Sequence, residues 1–174
     1  KVVEDNNYYS ENFKDTYLSE KNLKKVGFIR DDIDDLFEKK EINKREKAIL
    51  ITSLIYAVDR IANTVGHYDA YRKNGDLEKE LILKIPQIEN DNNKNNKIFC
   101  MDANELVKKF KADIVYIDPP YNSRQYSDAY HFLENIATNK KPKVFGIAKK
   151  MDRTHIKSKY CLSSAKQTLE ELIK

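Results

Sequence analysis

The sequence predicts an α/β protein whose amino-terminal part is largely helical. Residues 41–65 carry one long apolar stripe, Leu50, Leu54, Val58, Ile61 and Val65, at helical spacing. After about residue 90 short apolar runs alternate with helical segments. One run, "DIVYI" at 113–117, is continuous and rich in β-branched and aromatic residues, as in a strand buried on both faces. Strands alternating with helices build a doubly wound sheet. The expected division is a helical segment, 1–90, followed by part of an α/β core, 91–174.

The elements follow in order. Residues 1–25 are polar, punctuated by Tyr8, Tyr9, Phe13 and Tyr17, and read as loop and short helix. "FIRDDIDDLFEKK" places Phe28, Ile29, Ile33 and Leu36 at helical spacing. Asn43 starts the long helix, with Glu46 three residues on as its capping-box partner, and Gly66 ends it. "GHYDAYRKNGDLEKE" is a polar, aromatic turn, and "DNNKNN" at 91–96 a hydrophilic loop. "KIFCM" (97–101) reads as a strand, "ANELVKKF" (103–110) as a helix, and 127–138 as a longer helix. Residues 139–160 are basic and irregular. A final helix starts at Ser163 or Ser164.

Composition bounds the function. With 34% charged and 40% hydrophobic residues, the chain suits a globular protein with a modest core. No apolar run reaches 18 residues, so no transmembrane helix is expected, and "KVVEDNNYYSENF" lacks the apolar core of a signal peptide. A net charge of +4 permits nucleic-acid binding without demanding it. Cys100 and Cys161 have neither metal nor redox spacing and read as free thiols in a reducing compartment. The four glycines, 27, 66, 75 and 146, are too scattered to build a Gly-rich phosphate loop.

The most informative stretch is "ADIVYIDPPYNSRQY", residues 112–126. In doubly wound sheets ligands bind at the carboxyl ends of strands. Asp102 and Asp118 each follow a predicted strand, so both are expected in one crevice. Pro119 and Pro120 have fixed φ and no N–H, which makes a stiff, extended turn. That turn offers the Asp118 carboxylate and the Pro119 carbonyl as acceptors, with Tyr121 as a flat face beside them. Such a site suits a planar ligand bearing an amino group.

"DPPY" in this setting resembles the catalytic motif of amino-methyltransferases that use S-adenosylmethionine. "DIVYIDPPYNSRQYSDAYHFLENIA" resembles the Dam-like class of DNA adenine-N6 methyltransferases, especially those of restriction–modification systems. "IFCMDANELVKKF" is similar to the segment before the catalytic motif, whose acidic residue reaches the cofactor adenosine. "NTVGHYDAY" and residues 27–55 are similar to the helical segment ahead of that motif. The resemblance implies a partial Rossmann-like methyltransferase core. It implies S-adenosylmethionine as cofactor, held by Asp102, Ala103 and Asp118, and catalysis by Asp118, Pro119, Pro120 and Tyr121. It implies double-stranded DNA as substrate, a cognate restriction endonuclease as partner, and a prokaryotic cytoplasm, at the nucleoid. The family's Gly-rich first motif is absent, so these residues by themselves are expected to bind cofactor weakly and to be inactive.

Other residues have two readings each. Asp102 can hold the cofactor or cap the following helix; its spacing from Asp118 favours the first. Arg124 and Gln125 can touch DNA, or Arg124 can pair with Asp128. His67, Tyr68, Arg72 and Lys73 suit DNA backbone contact, or the tyrosines of that turn face a core. Tyr126 and Tyr130 read as helix packing, and His131 as a surface or interface residue. The lysines of 139–150 are phosphate contacts or solvated charge. Two rival functions remain: an RNA adenine or guanine methyltransferase with the same motif, and a noncatalytic nucleic-acid-binding relative.

Overall fold

The computed structural model describes residues 3–88, 95–120 and 122–174. Tyr121 and most of the 91–96 loop lie outside the described residues. Among those described, the helices are α1 (Tyr8–Phe13), α2 (Glu20–Glu38), α3 (Lys44–Ile61), α4 (Ala103–Leu106), α5 (Tyr126–Ala129), α6 (His131–Thr138) and α7 (Ala165–Ile173). A two-stranded antiparallel sheet joins β1 (Val144–Phe145) to β2 (Lys150–Met151). The chain divides into two units, Lys1–Gln87 with Tyr126–Arg153, and Ile88–Gln125 with Thr154–Lys174. A boundary near residue 90 describes this only in part. Segment 126–153 joins the helical unit because Phe132 and Ile136 are fully buried in its core.

The first unit forms around aromatic rings. Tyr9, Phe13, Tyr17, Tyr68 and Phe132 are all 0–1% exposed, and Phe13 and Phe132 meet at 4.7 Å between centroids. Asn7 caps α1 through Oδ1, and its Nδ2 donates to the Lys24 carbonyl at 2.9 Å. A Cβ on Gly27 would overlap that Asn7 amide, so only glycine lets α1 approach α2 there. Ser19 caps α2, which begins earlier than its apolar spacing suggested. Its buried face is Leu23, Val26, Arg30 and Ile33, whereas Phe28 is 43% exposed.

The α3 start is as expected. Asn43 Oδ1 accepts from the Arg45 and Glu46 N–H groups, and Glu46 accepts from the Asn43 N–H at 2.7 Å. The helix stops at Ile61, before the expected Gly66, because Ala62 is extended and Asn63 turns the chain. Asn63 is buried, donating from Nδ2 to the Thr16 and Arg72 carbonyls and from its backbone N–H to the Tyr17 carbonyl. Val65, the last residue of the expected stripe, is therefore 52% exposed.

The expected helix over 127–138 is broken at Tyr130, where φ is −124°. Arg30 holds the end of α6. This guanidinium, 2% exposed, donates to the Ile136 carbonyl at 2.7 Å and the Ala137 carbonyl at 3.2 Å, and pairs with Asp34 at 2.8 Å. A cation at a helix C-terminus complements the unpaired carbonyls there. Asn139, in the left-handed region at φ 51°, donates to both Asp31 and Asp34. Burial would raise the Asp34 carboxyl, but hydrogen bonds from Lys47, Arg30 and Asn139 outweigh it and hold it at about 2.

His131 is a core residue, fully buried, which corrects the surface reading. Its Nε2 donates to the Tyr68 carbonyl at 2.8 Å and lies 3.2 Å from the Tyr17 hydroxyl. Burial pushes its pKa down to about 4, against the raising effect of that carbonyl. The β1–β2 hairpin is held to this unit by Tyr17 donating to the Ala148 carbonyl, by Arg153 on Asp128 at 2.6 Å, and by Lys150 on Asp69.

The second unit differs from expectation. Among the described residues, 97–101 and 113–117 join no sheet, and Ile98, Ile114 and Tyr116 are 98%, 88% and 88% exposed. Strand propensity reports only that a segment suits a pleated, half-buried surface. Formation needs a hydrogen-bonded neighbour, which neither segment has among the described residues. The 103–110 helix is likewise confined to α4, with Phe110 packed on Phe99 at 4.5 Å. No described helix is long and apolar enough to cross a membrane.

Two stability predictions follow from these contacts. Replacing Arg30 by Ala leaves two helix-end carbonyls without their donor and takes from Asp34 one of the partners it shares with Lys47 and Asn139, at a cost of about 2–4 kcal/mol. Urea unfolding should show this as a lower midpoint at unchanged slope, with Arg30→Lys recovering little because an ammonium cannot span the three acceptors. For His131 the folded pKa lies below the ordinary value, so the unfolded chain binds more protons between about pH 6.5 and 4. The stabilisation is complete above pH 6.5 and is lost as the pH falls, by up to about 3 kcal/mol. The midpoint should drop between pH 7 and 5 in the native chain and much less in His131→Gln.

Candidate active site

The site lies in the second unit. The extended run 113–117 leads directly into Asp118, and the two prolines that follow are half-buried. Asp118 is exposed and, with Pro119, lines a cavity of about 540 Å³. The other walls are apolar: Leu106, Val107, Phe110 and Ile117, with Leu172 and Ile173 from α7. Tyr160 closes the same cavity and donates from its hydroxyl to Asn104 Oδ1 at 2.7 Å. An apolar cavity with an Asp and a Pro among its lining residues suits a flat ring carrying N–H donors.

Asp102 takes the capping geometry. Its Oδ1 accepts from the Asn104 N–H at 2.9 Å and the Glu105 N–H at 3.2 Å. It lines a second, polar cleft of about 480 Å³ with Lys108, Lys159 and Glu171. Asp102 and Asp118 thus do not share one crevice as expected. Capping turns the Asp102 carboxylate toward the start of α4, while Ala103, one residue on, faces the Asp118 cavity. A cap does not exhaust a carboxylate, which offers about four lone-pair sites.

The residues expected to touch DNA separate by burial. Gln125 is 6% exposed, and its Oε1 accepts from the Ser158 N–H at 2.9 Å, so it faces inward. Arg124 is exposed beside it; its backbone N–H donates to Asn122 Oδ1. Asp128, considered as a partner of Arg124, carries Arg153. In the first unit Tyr68 is 1% exposed and donates to Asp59, so it is a core residue and presents no face to DNA. His67 is half-buried, its Nδ1 accepting from the Asp69 N–H, whereas Arg72 and Lys73 are exposed. Tyr126 and Tyr130 stack on each other at 5.9 Å, with Tyr126 70% exposed. Of the lysines in 139–150, Lys141 pairs with Asp31, Lys150 with Asp69, and Lys143 lies over the Phe145 ring.

Tyr160 and Asn104 escaped the sequence reading. "SKY" at 158–160 shows only a Ser that caps a turn, which Ser158 does for the Tyr160 N–H. The contact between Tyr160 and Asn104 joins residues 56 apart and leaves no local pattern. No group of ligating side chains suited to a metal ion occurs among the described residues.

Comparison with known proteins gives a consistent picture. The chain is 45% identical over 153 residues to Modification methylase StsI of Streptococcus sanguinis, covering 87% of this chain. It is 37% identical over 144 residues to Modification methylase LlaI of Lactococcus lactis subsp. lactis, covering 80%. To Type II methyltransferase M.NlaIII of Neisseria lactamica it is 33% identical over 153 residues, covering 85%. It spans only 23% of the length of the first two and 44% of the third. No solved structure gives a significant match. The model of the D12 class N6 adenine-specific DNA methyltransferases matches residues 1–174, and the chain belongs to that family.

Proposed function

We propose that this chain carries the catalytic segment of a DNA methyltransferase that moves a methyl group from S-adenosylmethionine to the N6 amine of a flipped adenine. The context proposed is restriction–modification, with double-stranded DNA as substrate, a cognate endonuclease as partner and a cytoplasmic setting. The observation that carries the reading is Asp118 and Pro119 at the wall of an apolar cavity, within an Asp-Pro-Pro-Tyr sequence. The family match and the similarity to modification methylases support it. We also propose the Rossmann-like sheet of this enzyme class as the setting in which 97–101 and 113–117 act as strands.

The chemistry rests on the amine. Adenine N6 is a poor nucleophile because its lone pair is delocalised into the ring. Asp118 and the Pro119 carbonyl accept its two hydrogens and draw the nitrogen toward tetrahedral geometry. A hydrogen bond to a charged acceptor contributes about 1.5–3 kcal/mol. Pro120 keeps the turn stiff and, lacking an N–H, adds no donor to compete for these acceptors. Extruding the base costs a few kcal/mol, and stacking on Tyr121 returns roughly 1–3 kcal/mol. Holding the amine in line with the transferable methyl supplies much of the rate; the N6–methyl bond forms as the sulfonium–methyl bond breaks to leave a thioether, and the proton that the nitrogen sheds passes through Asp118 to water.

The cofactor supplies an electrophilic methyl on a sulfonium. The residues present fit its adenosine half. The cavity is apolar and of nucleoside size, Ala103 lines it without filling it, and the Asp118 carboxylate can accept amino hydrogens; Asp102, one residue before Ala103 and on the neighbouring polar cleft, keeps lone pairs for a hydroxyl. For the methionine half the family's Gly-rich turn has no counterpart in this sequence, so these 174 residues alone should bind cofactor weakly and lack activity. Arg124, His67, Arg72 and Lys73 remain candidates for contact with DNA phosphates.

Labelled S-adenosylmethionine should be incubated with a full-length protein carrying this sequence and unmethylated duplex DNA, beside matched RNA. Digestion to nucleosides should give label in N6-methyladenine from DNA alone. Label in RNA or on cytosine would overturn the substrate, and no label would favour a noncatalytic relative. Asp118→Ala should abolish transfer while DNA affinity changes less than about threefold; parallel loss of both would assign Asp118 to folding. Asp102→Ala should weaken cofactor binding about tenfold or more, the worth of one charge-assisted hydrogen bond. Unchanged affinity would leave Asp102 as a helix cap only.

A further inference from the structure

Gln125 stands at the downstream end of the Asp-Pro-Pro-Tyr turn, seven residues after Asp118. It is a long polar side chain, yet only 6% exposed. The Ser158 backbone N–H, 33 residues away in sequence, donates to its Oε1 at 2.9 Å. That donor fixes which end of the amide faces inward, since only the carbonyl oxygen can accept. A buried polar group is retained when its bond is made, and leaving the Ser158 N–H without an acceptor would be costly.

The bond leads somewhere. Ser158 caps the short turn Lys159–Cys161 through Oγ, which accepts from the Tyr160 N–H. Tyr160 lines the Asp118 cavity and donates to Asn104 Oδ1 at 2.7 Å. Asn104 in turn donates from Nδ2 to the Thr168 carbonyl on α7 at 3.0 Å, and its own N–H is capped by Asp102. One three-residue segment, 158–160, therefore grips the end of the Asp118 turn on one side and the start of α4 on the other.

We propose that Gln125 is a positioning residue, tying the Asp118 turn to the brace at 158–160 so that Asp118 and the Asp102–Asn104 segment keep a fixed spacing. Gln125 touches neither base nor phosphate in this role. It acts through Ser158, by limiting the motion of a turn that has no secondary structure of its own. The proposal rests on the methyltransferase reading for its catalytic consequence. Misplacing a reacting group by about 1 Å costs roughly 100-fold in rate.

The test compares two variants of the full-length protein on unmethylated duplex DNA. Gln125→Met keeps length and removes the acceptor; Gln125→Glu keeps an acceptor oxygen. Gln125→Met should lower kcat about 10–100-fold, with KM for DNA and for S-adenosylmethionine within about threefold of the native values. Gln125→Glu should recover most of that loss. Amide exchange should show the Ser158 N–H losing protection in Gln125→Met and keeping it in Gln125→Glu. Weaker DNA binding in both variants with unchanged kcat would overturn the proposal and restore Gln125 as a DNA contact. Equal loss in both with a lowered melting temperature would also overturn it, as a general folding role. A native enzyme that methylates another nucleoside would sink the adenine reading while the kcat comparison still decides Gln125. A native enzyme without transfer, together with unchanged Ser158 exchange in Gln125→Met, would remove both.

Discussion

A single buried guanidinium organises the helical unit. Arg30 reaches from α2 to the open end of α6, satisfying two backbone carbonyls that α6 cannot satisfy itself and neutralising Asp34. A buried charge is tolerated only when paired and fully hydrogen-bonded, so these three acceptors and the cation must assemble together. The position of α6 follows from this. Tyr9 donates to the Asn135 carbonyl at the same helix end, and Phe132 and Ile136 then close the aromatic core. The Asp31–Asn139–Asp34 bonds fix the left-handed residue that turns the chain toward the hairpin.

The consequence for function runs through chain order. Segment 126–153 follows the Asp-Pro-Pro-Tyr turn and folds with residues that precede it by about a hundred positions. The turn is thus followed in sequence by a segment that belongs to the first unit. Gln125 ends the first segment of the second unit, and Tyr126 is the first residue of α5. A turn stiffened by two prolines at one end and tethered by a buried amide at the other needs little local secondary structure. In the role proposed for Gln125, such a tether holds reacting groups in a loop at fixed spacing.

The second unit has a different character. Its apolar residues are concentrated around the cavity beside Asp118 or exposed along 97–101 and 113–117, and few are fully buried. Its order comes instead from directional bonds: Asp102 on α4, Asn104 on α7, Tyr160 on Asn104, Gln125 on Ser158. Such bonds specify geometry at modest net stability, about 1 kcal/mol each. A site built this way is sensitive to the loss of one partner.

The sequence alone determined what is local. The Asn43–Glu46 capping box and the α3 stripe through Leu54, Val58 and Ile61 each depend on neighbours within four residues, and each was legible. So was the family, because "DPPY" after an apolar run constrains chemistry within four positions. Tertiary structure decided the rest. Arg30, Gln125 and His131 are polar residues whose burial depends on partners 106, 33 and 63 positions away. Tyr68 looked equally suited to a DNA face or a core until the rings of Tyr17 and Phe132 enclosed it. The apolar runs at 97–101 and 113–117 satisfied every local rule for strands and formed none among the described residues. Helix caps close their hydrogen bonds within one turn of chain, whereas strands and buried polar groups close theirs only with a partner that sequence spacing does not name.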